Sequence, residues 1–235
     1  MRMRYLATGA ALLVGLAACS RPSFDRGADA YKAKDYAGAM AQWKPLAESG
    51  DARAQSNLGA MYANGLGVKP DPAVAAQWLQ KAAAQGNADA EASLGVLYMN
   101  GKGVNQDVAA ARGWFAKAAA QDQSLAAFNL GVLYDNGQGG PADKAKSAQY
   151  YLQAANLGDA EAQLNLGVDF ATGDGVAVDK VSAYKWFTLG LHGSSDPGGR
   201  AQTASNLARL KSSLTPAEIA QGDQAVAAFK PKAAP

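Results

Sequence analysis

The sequence has one histidine and one cysteine among its 235 residues, and this scarcity excludes several kinds of site. A zinc site built on two histidines cannot form, and neither can a histidine dyad, because His192 has no second histidine to pair with. Cys19 has no partner for a disulfide within the chain. His192 lies beside a glycine-rich loop, so we expect an exposed residue at a helix end, although histidine titrates near neutral pH.

The chain also lacks an excess of charge of either sign. Arg2 and Arg4 are two of its 22 basic residues, so the remainder carries 20 basic residues against 20 acidic ones. A neutral body without a basic tract argues against a nucleic-acid partner, because phosphate contacts supply most of the affinity in such complexes. Apolar residues make up 49% of the chain and aromatic residues only 8%, which predicts a core of small side chains.

The N-terminus predicts export. Arg2 and Arg4 precede an apolar run from Tyr5 to Ala18 that ends in small residues, which is the arrangement of a signal peptide. The run is shorter than the about 20 residues that a helix needs to span a bilayer. We therefore expect a signal peptide over residues 1–18.

The end of this run, Leu16-Ala17-Ala18-Cys19, resembles the lipobox of bacterial lipoproteins. The resemblance implies that the signal is cut before Cys19 and that Cys19 is lipidated, followed by a short polar tether over residues 19–26. It also implies a lipid-anchored, periplasm-facing protein of the cell envelope. In enteric bacteria an aspartate after the cysteine retains lipoproteins at the inner membrane, so Ser20 favours the outer membrane. An ordinary signal peptide with a chance cysteine is the alternative.

A 36-residue period dominates the rest of the sequence. Four copies follow one another without insertion, at residues 51–86, 87–122, 123–158 and 159–194. Numbered from 1 to 36 within a copy, they share leucine at position 8, glycine at 9, 15 and 17, aspartate at 21 and an aromatic residue at 12 and 28. A strict period of this length indicates a solenoid.

Each copy predicts two helices joined by a turn. Aspartate or asparagine at position 1 caps the first helix, whereas Gln123 is expected to cap poorly, so that the third copy frays there. The glycine at position 15 supplies the left-handed residue that ends a helix, and the glycine at position 9 allows the second helix to approach closely. Core packing is the preferred role of the aromatic residue at position 28, over a ligand platform. The predicted fold is an all-α, right-handed α/α solenoid of stacked antiparallel helix hairpins.

The segments that flank the repeats predict capping elements. Residues 27–50 predict an N-terminal hairpin, with Pro45 expected to kink its second helix. Residues 195–230 predict C-terminal capping helices, over 201–213 and from Pro216 to about Phe229, after a loop of sequence SSDPGG. Thr215 and Glu218 form a capping-box pattern at the start of the last helix. Residues 231–235 predict a disordered tail.

The repeated pattern A-x-x-x-L-G-x-x-Y-x-x-G-x-G-V, followed by D, A, W and K-A-A-x-x-G, resembles the Sel-one-like repeat, which is tetratricopeptide-like. The four copies that carry the resemblance cover residues 51–194. The resemblance implies a stack whose first helices line a concave groove. It also implies a non-enzymatic adaptor that binds a protein or peptide partner in that groove.

Polar residues beside the apolar stripe of the first helices are the candidate partner-binding residues. Position 7 holds Asn57, Asn129 and Asn165, and position 3 of the same stripe holds Arg53 and Glu161. Asparagine both donates and accepts hydrogen bonds, which suits it to hold an extended backbone. An equally good interpretation is that these asparagines bond to one another between repeats as a ladder.

An alternative function rests on one short motif. Ser182 and Lys185 fit the S-x-x-K pattern of penicillin-interacting enzymes, which would make the protein an envelope hydrolase or a β-lactam-binding protein. The companion S-D-N and K-T-G elements do not occur in the sequence, and the repeat register accounts for both residues. The preferred interpretation therefore has no catalytic residue, no metal and no cofactor.

Overall fold

The computed structural model describes residues 22–233, which form helices and the segments that connect them. The predicted signal peptide, Cys19 and the first residues of the tether lie outside the described residues, as do residues 234 and 235. The helices are α1 Phe24–Lys32, α2 Tyr36–Glu48, α3 Ala52–Asn64, α4 Pro72–Ala83, α5 Ala88–Asn100, α6 Val108–Ala119, α7 Ser124–Asp135, α8 Lys144–Asn156, α9 Ala160–Thr172, α10 Lys180–Gly193, α11 Pro197–Lys211 and α12 Pro216–Ala228. The prediction of an all-α fold of stacked helix hairpins is confirmed.

Each 36-residue copy forms one hairpin, and each hairpin packs on the next. The pairs are α3 with α4, α5 with α6, α7 with α8 and α9 with α10, and the second helix of each pair contacts the first helix of the following pair. The first helices also contact one another, α3 with α5 and α5 with α7, more closely than neighbouring second helices do. The first helices therefore form the inner row of the stack.

Side-chain caps begin the helices where the sequence predicts them. Asp51 Oδ1 accepts a hydrogen bond from the Ala54 amide at 2.9 Å, and the aspartate at position 21 caps the second helix in all four copies. Gln123 also caps its helix, because its Oε1 accepts from the Ala126 amide at 2.7 Å. The expectation of a poor cap there was wrong, since the extra methylene of glutamine still reaches the third amide.

The glycine at position 9 lies against the side chain at position 29, which fills the interior of each hairpin. A Cβ on Gly95 would lie 2.5 Å from the ring of Phe115, and one on Gly131 would lie 2.7 Å from Tyr151. The four residues at position 29 are buried: Leu79, Phe115, Tyr151 and Phe187. The aromatic residue at position 28 also packs against the core, as predicted, but it is only half-buried in the first three copies, so position 29 is the more deeply buried of the two.

The second glycine of each Gly-x-Gly turn forms a contact between hairpins. Its φ is positive in every copy, and its α-carbon faces the backbone at the start of the second helix of the preceding hairpin. Gly103 faces the Pro72 carbonyl, and a Cβ on Gly139 would lie 2.5 Å from the Val108 carbonyl oxygen. The turn thus ends one helix and also sets the spacing between neighbouring layers.

Both ends of the stack differ from the predicted boundaries. The N-terminal hairpin begins at Phe24, and the buried Trp43 donates from Nε1 to the Phe24 carbonyl at 3.0 Å. Pro45 lies inside α2. The predicted SSDPGG loop is in fact a helix start, because Asp196 accepts from the Gly199 amide at 2.7 Å and caps α11.

The C-terminus closes the stack and then runs back along it. The capping box of Thr215 and Glu218 begins α12, which packs on α10 and places Phe229 against Trp186, with ring centroids 5.5 Å apart. Where the sequence predicts a disordered tail, residues 231 and 232 lie against the C-terminal end of α8. The Lys232 amide donates to the Asn156 carbonyl at 2.8 Å. Among the described residues, no helix is both long enough and apolar enough to cross a bilayer.

Candidate binding cleft on the inner face

The predicted position-7 asparagines are half-buried on the inner-row helices, and no hydrogen bond among the described residues joins two of them. The Asn129 amide donates to the Leu125 carbonyl at 2.8 Å within its own helix. Asn165 lies beside the hydroxyl of Tyr151. Asn57 lies on α3, well away from both. The three asparagines therefore do not form one cluster.

The two predicted position-3 residues already have partners within the chain. The guanidinium of Arg53 lies 4.1 Å from the centroid of the Phe24 ring and 3.8 Å from the Asp51 carboxylate. Glu161 accepts a hydrogen bond from Ser194 Oγ at 2.6 Å. Binding of a partner by either residue would compete with these contacts.

Polar links between helices occur at position 5, which the sequence reasoning missed. The amide of Gln55 donates to the Ala47 carbonyl of the preceding hairpin at 3.0 Å, and Gln163 donates to Ala155 in the same way. Glu91, the position-5 residue of the second copy, accepts from Gln121 at 2.9 Å. The signal for these links was present in the sequence, because three of the four copies carry glutamine or glutamate at position 5.

The residues of the alternative enzymatic interpretation have different partners. Ser182 Oγ donates to the Asp179 carboxylate at 2.6 Å, which strengthens the cap of α10. The ammonium of Lys185 lies 4.0 Å from the centroid of the Trp186 ring, and burial lowers its pKa. His192 is exposed near the end of α10. In this arrangement the lysine is engaged with an aromatic ring and the serine with a helix cap.

A cleft opens between the inner-row helices α7 and α9, and we call it the Asp169 cleft. Its volume is about 310 Å³, and α8 contributes Tyr151 and Lys144 to its lining. Val132 of α7 and Val168 of α9 are apolar parts of the wall. Both flanking helices are first helices of their hairpins, so the cleft opens on the inner-row side of the stack.

Asp169 occupies a core position of the repeat. It stands at position 11, where the other copies have Met61, Leu97 and Leu133, all buried. Asp169 is only 8% exposed, and its carboxylate accepts no hydrogen bond from any described residue. Aligning the four copies by their period reveals this departure, but position 11 is not among the positions that the sequence analysis singled out.

Burial, and after it the nearby carboxylates of Asp135 and Asp174, raise the pKa of Asp169 to about 7. Lys144 opposes the shift, but its ammonium is held 2.7 Å from the Asp135 carboxylate at the rim, a hydrogen bond that raises the pKa of Lys144. The cleft therefore groups three carboxyl groups with one ammonium, and the most deeply placed carboxyl has no cation of its own.

This arrangement makes the folded state less stable as the pH rises. The Asp169 carboxyl ordinarily titrates at 3.8, whereas in the folded chain it titrates at about 7. Between these values the folded state holds more protons than the unfolded chain, so the free energy of unfolding falls as the pH increases through this window. A buried, unpartnered carboxylate thus costs stability at neutral pH, which favours a role other than packing.

The chain belongs to the Sel1 repeat family, whose model matches residues 52–87, 88–123, 124–159 and 160–191. Several solved structures are similar to it, among them two with sequence identities of 29% and 27%. A Sel1 repeat protein from Oxalobacter formigenes is 29% identical with a TM-score of 0.72, and the match covers 88% of this chain and 86% of that one.

The second structure is c5321, a protective antigen present in uropathogenic Escherichia coli strains, which displays an SLR fold. It is 27% identical with a TM-score of 0.56, and the match covers 88% of this chain but 52% of that one. Among curated proteins, no sequence matches the chain. Sel1-repeat solenoids are typically protein-interaction scaffolds.

Proposed function

We propose that this protein is a non-enzymatic adaptor that binds a protein or peptide partner along the concave face of its stack. The observation that carries the proposal is the Asp169 cleft, where an unpartnered carboxylate occupies a core position of an inner-row helix. The cost of this carboxylate to the stability of the fold is explained if the carboxylate is used in binding. Membership of the Sel1 repeat family supports the same function.

The proposal includes an envelope location. The apolar run before Cys19 and the lipobox-like sequence support lipidation of that cysteine, and Ser20 supports sorting to the outer membrane. The stack would then face the periplasm, with residues 20–23 linking the lipid to α1.

The concave-face assignment predicts an asymmetric pattern of photo-crosslinking. Leu125 on α7 and Leu152 on α8 belong to the same hairpin and are 47% and 39% exposed, so they form a matched pair. We expect a benzoylphenylalanine at residue 125 to crosslink to another protein in the cell envelope, because α7 lies in the inner row. The same group at residue 152 should not crosslink. Equal labelling from both sites, or labelling from residue 152 alone, would move the binding face to the second helices.

The lipid anchor predicts that Cys19→Ser abolishes lipidation. Without the sulfur there is no site for the diacylglyceryl group, so the variant should accumulate as unprocessed precursor or as released protein. Mass spectrometry of the mature N-terminus decides this, and Ser20→Asp is the matched control. That variant should keep the lipid and, in an enteric host, move to the inner membrane. An unmodified Cys19 in the wild-type protein would contradict the anchor.

A further inference from the structure

We propose that the Asp169 cleft is a subsite for one basic side chain, arginine or lysine, of the partner. The inference deepens the proposed adaptor function and rests on it, because it assigns a chemistry to one point of the binding face. It follows from three features of the cleft: a buried carboxylate without a partner, a nearby cation that is already engaged, and apolar walls.

The buried carboxylate defines the charge of the ligand. Asp169 is more than nine-tenths buried, its carboxylate accepts no hydrogen bond from the described residues, and it lines the cleft. Lys144 could have neutralised it, but its ammonium is bonded to Asp135 at the rim. A ligand that enters the cleft therefore meets a net negative charge, because three carboxyl groups face one ammonium. A cation gains more there than in water because the surroundings are less polar.

The walls define the shape of the ligand. Val132 and Val168 can contact the methylene groups of a long basic side chain, while the charged head reaches Asp169. The amide of Asn165 lines the same cleft and offers a carbonyl oxygen as a second acceptor. A guanidinium can use both acceptors at once, since its N–H groups form a fixed fork. Among the described residues, no group of three or more His, Cys, Asp or Glu side chains is arranged to hold a metal ion.

The same geometry makes binding depend on pH. The groups that face Asp169 are Asp135 from α7, Lys144 and Tyr151 from α8, and Asp174 from the loop after α9. Because Asp169 titrates at about 7, the cleft gains its deepest charge as the pH rises through neutrality. A basic side chain should therefore bind more tightly at pH 8 than at pH 6, and its binding should lower the pKa of Asp169.

The test uses N-acetyl-arginine amide as the probe and N-acetyl-citrulline amide as its neutral isostere, each titrated into the isotopically labelled full chain. NMR follows the amides of α7 and α9 and the carboxyl carbon of Asp169. We expect the arginine probe to shift these signals at pH 8 and to lower the pKa of Asp169, whereas the citrulline probe should do neither. Asp169→Asn should weaken arginine binding about tenfold. The matched control Glu48→Gln removes an exposed charge on α2 and should leave binding unchanged.

Thermal melting of the same variants separates lost binding from lost folding. Asp169→Asn should melt at a higher temperature than the wild type at pH 8, and the difference should shrink toward pH 5, because the asparagine needs no proton. A variant that is more stable yet binds less arginine cannot owe the loss to unfolding. Equal shifts with the citrulline probe, no shift at all with arginine, or displacement of arginine by millimolar Mg²⁺ or Ca²⁺ would each overturn the proposal. The adaptor function is tested separately, by the crosslinks from residue 125.

Discussion

Gly103→Ala is expected to lower the free energy of unfolding by roughly 2–5 kcal/mol. About 1–2 kcal/mol comes from placing an alanine in the left-handed region, since φ at Gly103 is +73°. The rest, on the order of 1–3 kcal/mol, comes from the clash of the new methyl group with the Pro72 carbonyl of the preceding hairpin. Denaturant unfolding followed by circular dichroism would measure the change.

Gly86→Ala is the matched control for this experiment. Gly86 also has a positive φ, +78°, but a Cβ there would meet nothing within 4 Å. It should show the backbone cost alone, so the difference between the two variants isolates the contact between layers. Hydrogen exchange should place the damage of Gly103→Ala in the first and second copies, because each hairpin contacts only its neighbours. Equal destabilisation by the two variants would show that the Gly-x-Gly turn does not set the spacing.

Phe115→Ala is expected to lower the free energy of unfolding by about 3–5 kcal/mol. Phe115 is fully buried and lies against Gly95, so removal of its ring leaves a cavity that the small surrounding residues cannot fill. The measurement is again denaturant unfolding, with the melting temperature as a second readout.

The neighbouring residue provides the control. Trp114→Ala removes a larger side chain from a half-buried position, where the ring also lies 4.1 Å from the ammonium of Lys117. Its cost should be clearly smaller than that of Phe115→Ala, because much of the ring is already in contact with water and an exposed cation–π contact contributes only about 0.5–1 kcal/mol. The reverse order would show that position 28 contributes more to the core than position 29.

The period and the caps made the fold predictable from sequence alone. Asp51 and its equivalents cap helix starts through a hydrogen bond to an amide three residues later. The glycines end helices because they adopt a positive φ. Both features depend only on neighbouring residues, so they can be recognised without knowledge of the tertiary structure. Asp196 carries the same local signal, followed by Pro197 at the first helical position. The prediction of a loop over the whole SSDPGG segment is therefore wrong from Pro197 onward.

The choice between adjacent positions could not be made from the pattern. Positions 28 and 29 are both apolar, and only the rotation of the second helix about its axis decides which one faces Gly95. The Asp169 cleft was missed for a different reason. A repeat alignment draws attention to what the copies share, whereas the candidate site lies where one copy departs from the others at a buried position.

The contacts of the C-terminal segment limit where the gene can gain or lose a repeat. Phe229 contacts the fourth copy, the Lys232 amide bonds to the third, and the Lys232 ammonium pairs with Asp122 at the end of the second. A duplication or deletion of one 36-residue unit within residues 123–194 would put other residues at these contact points, and Asp122 would no longer lie within reach of Lys232. The same event near the first copy would leave them intact. We therefore expect copy number in close relatives that keep this C-terminal segment to vary at the N-terminal side of the array.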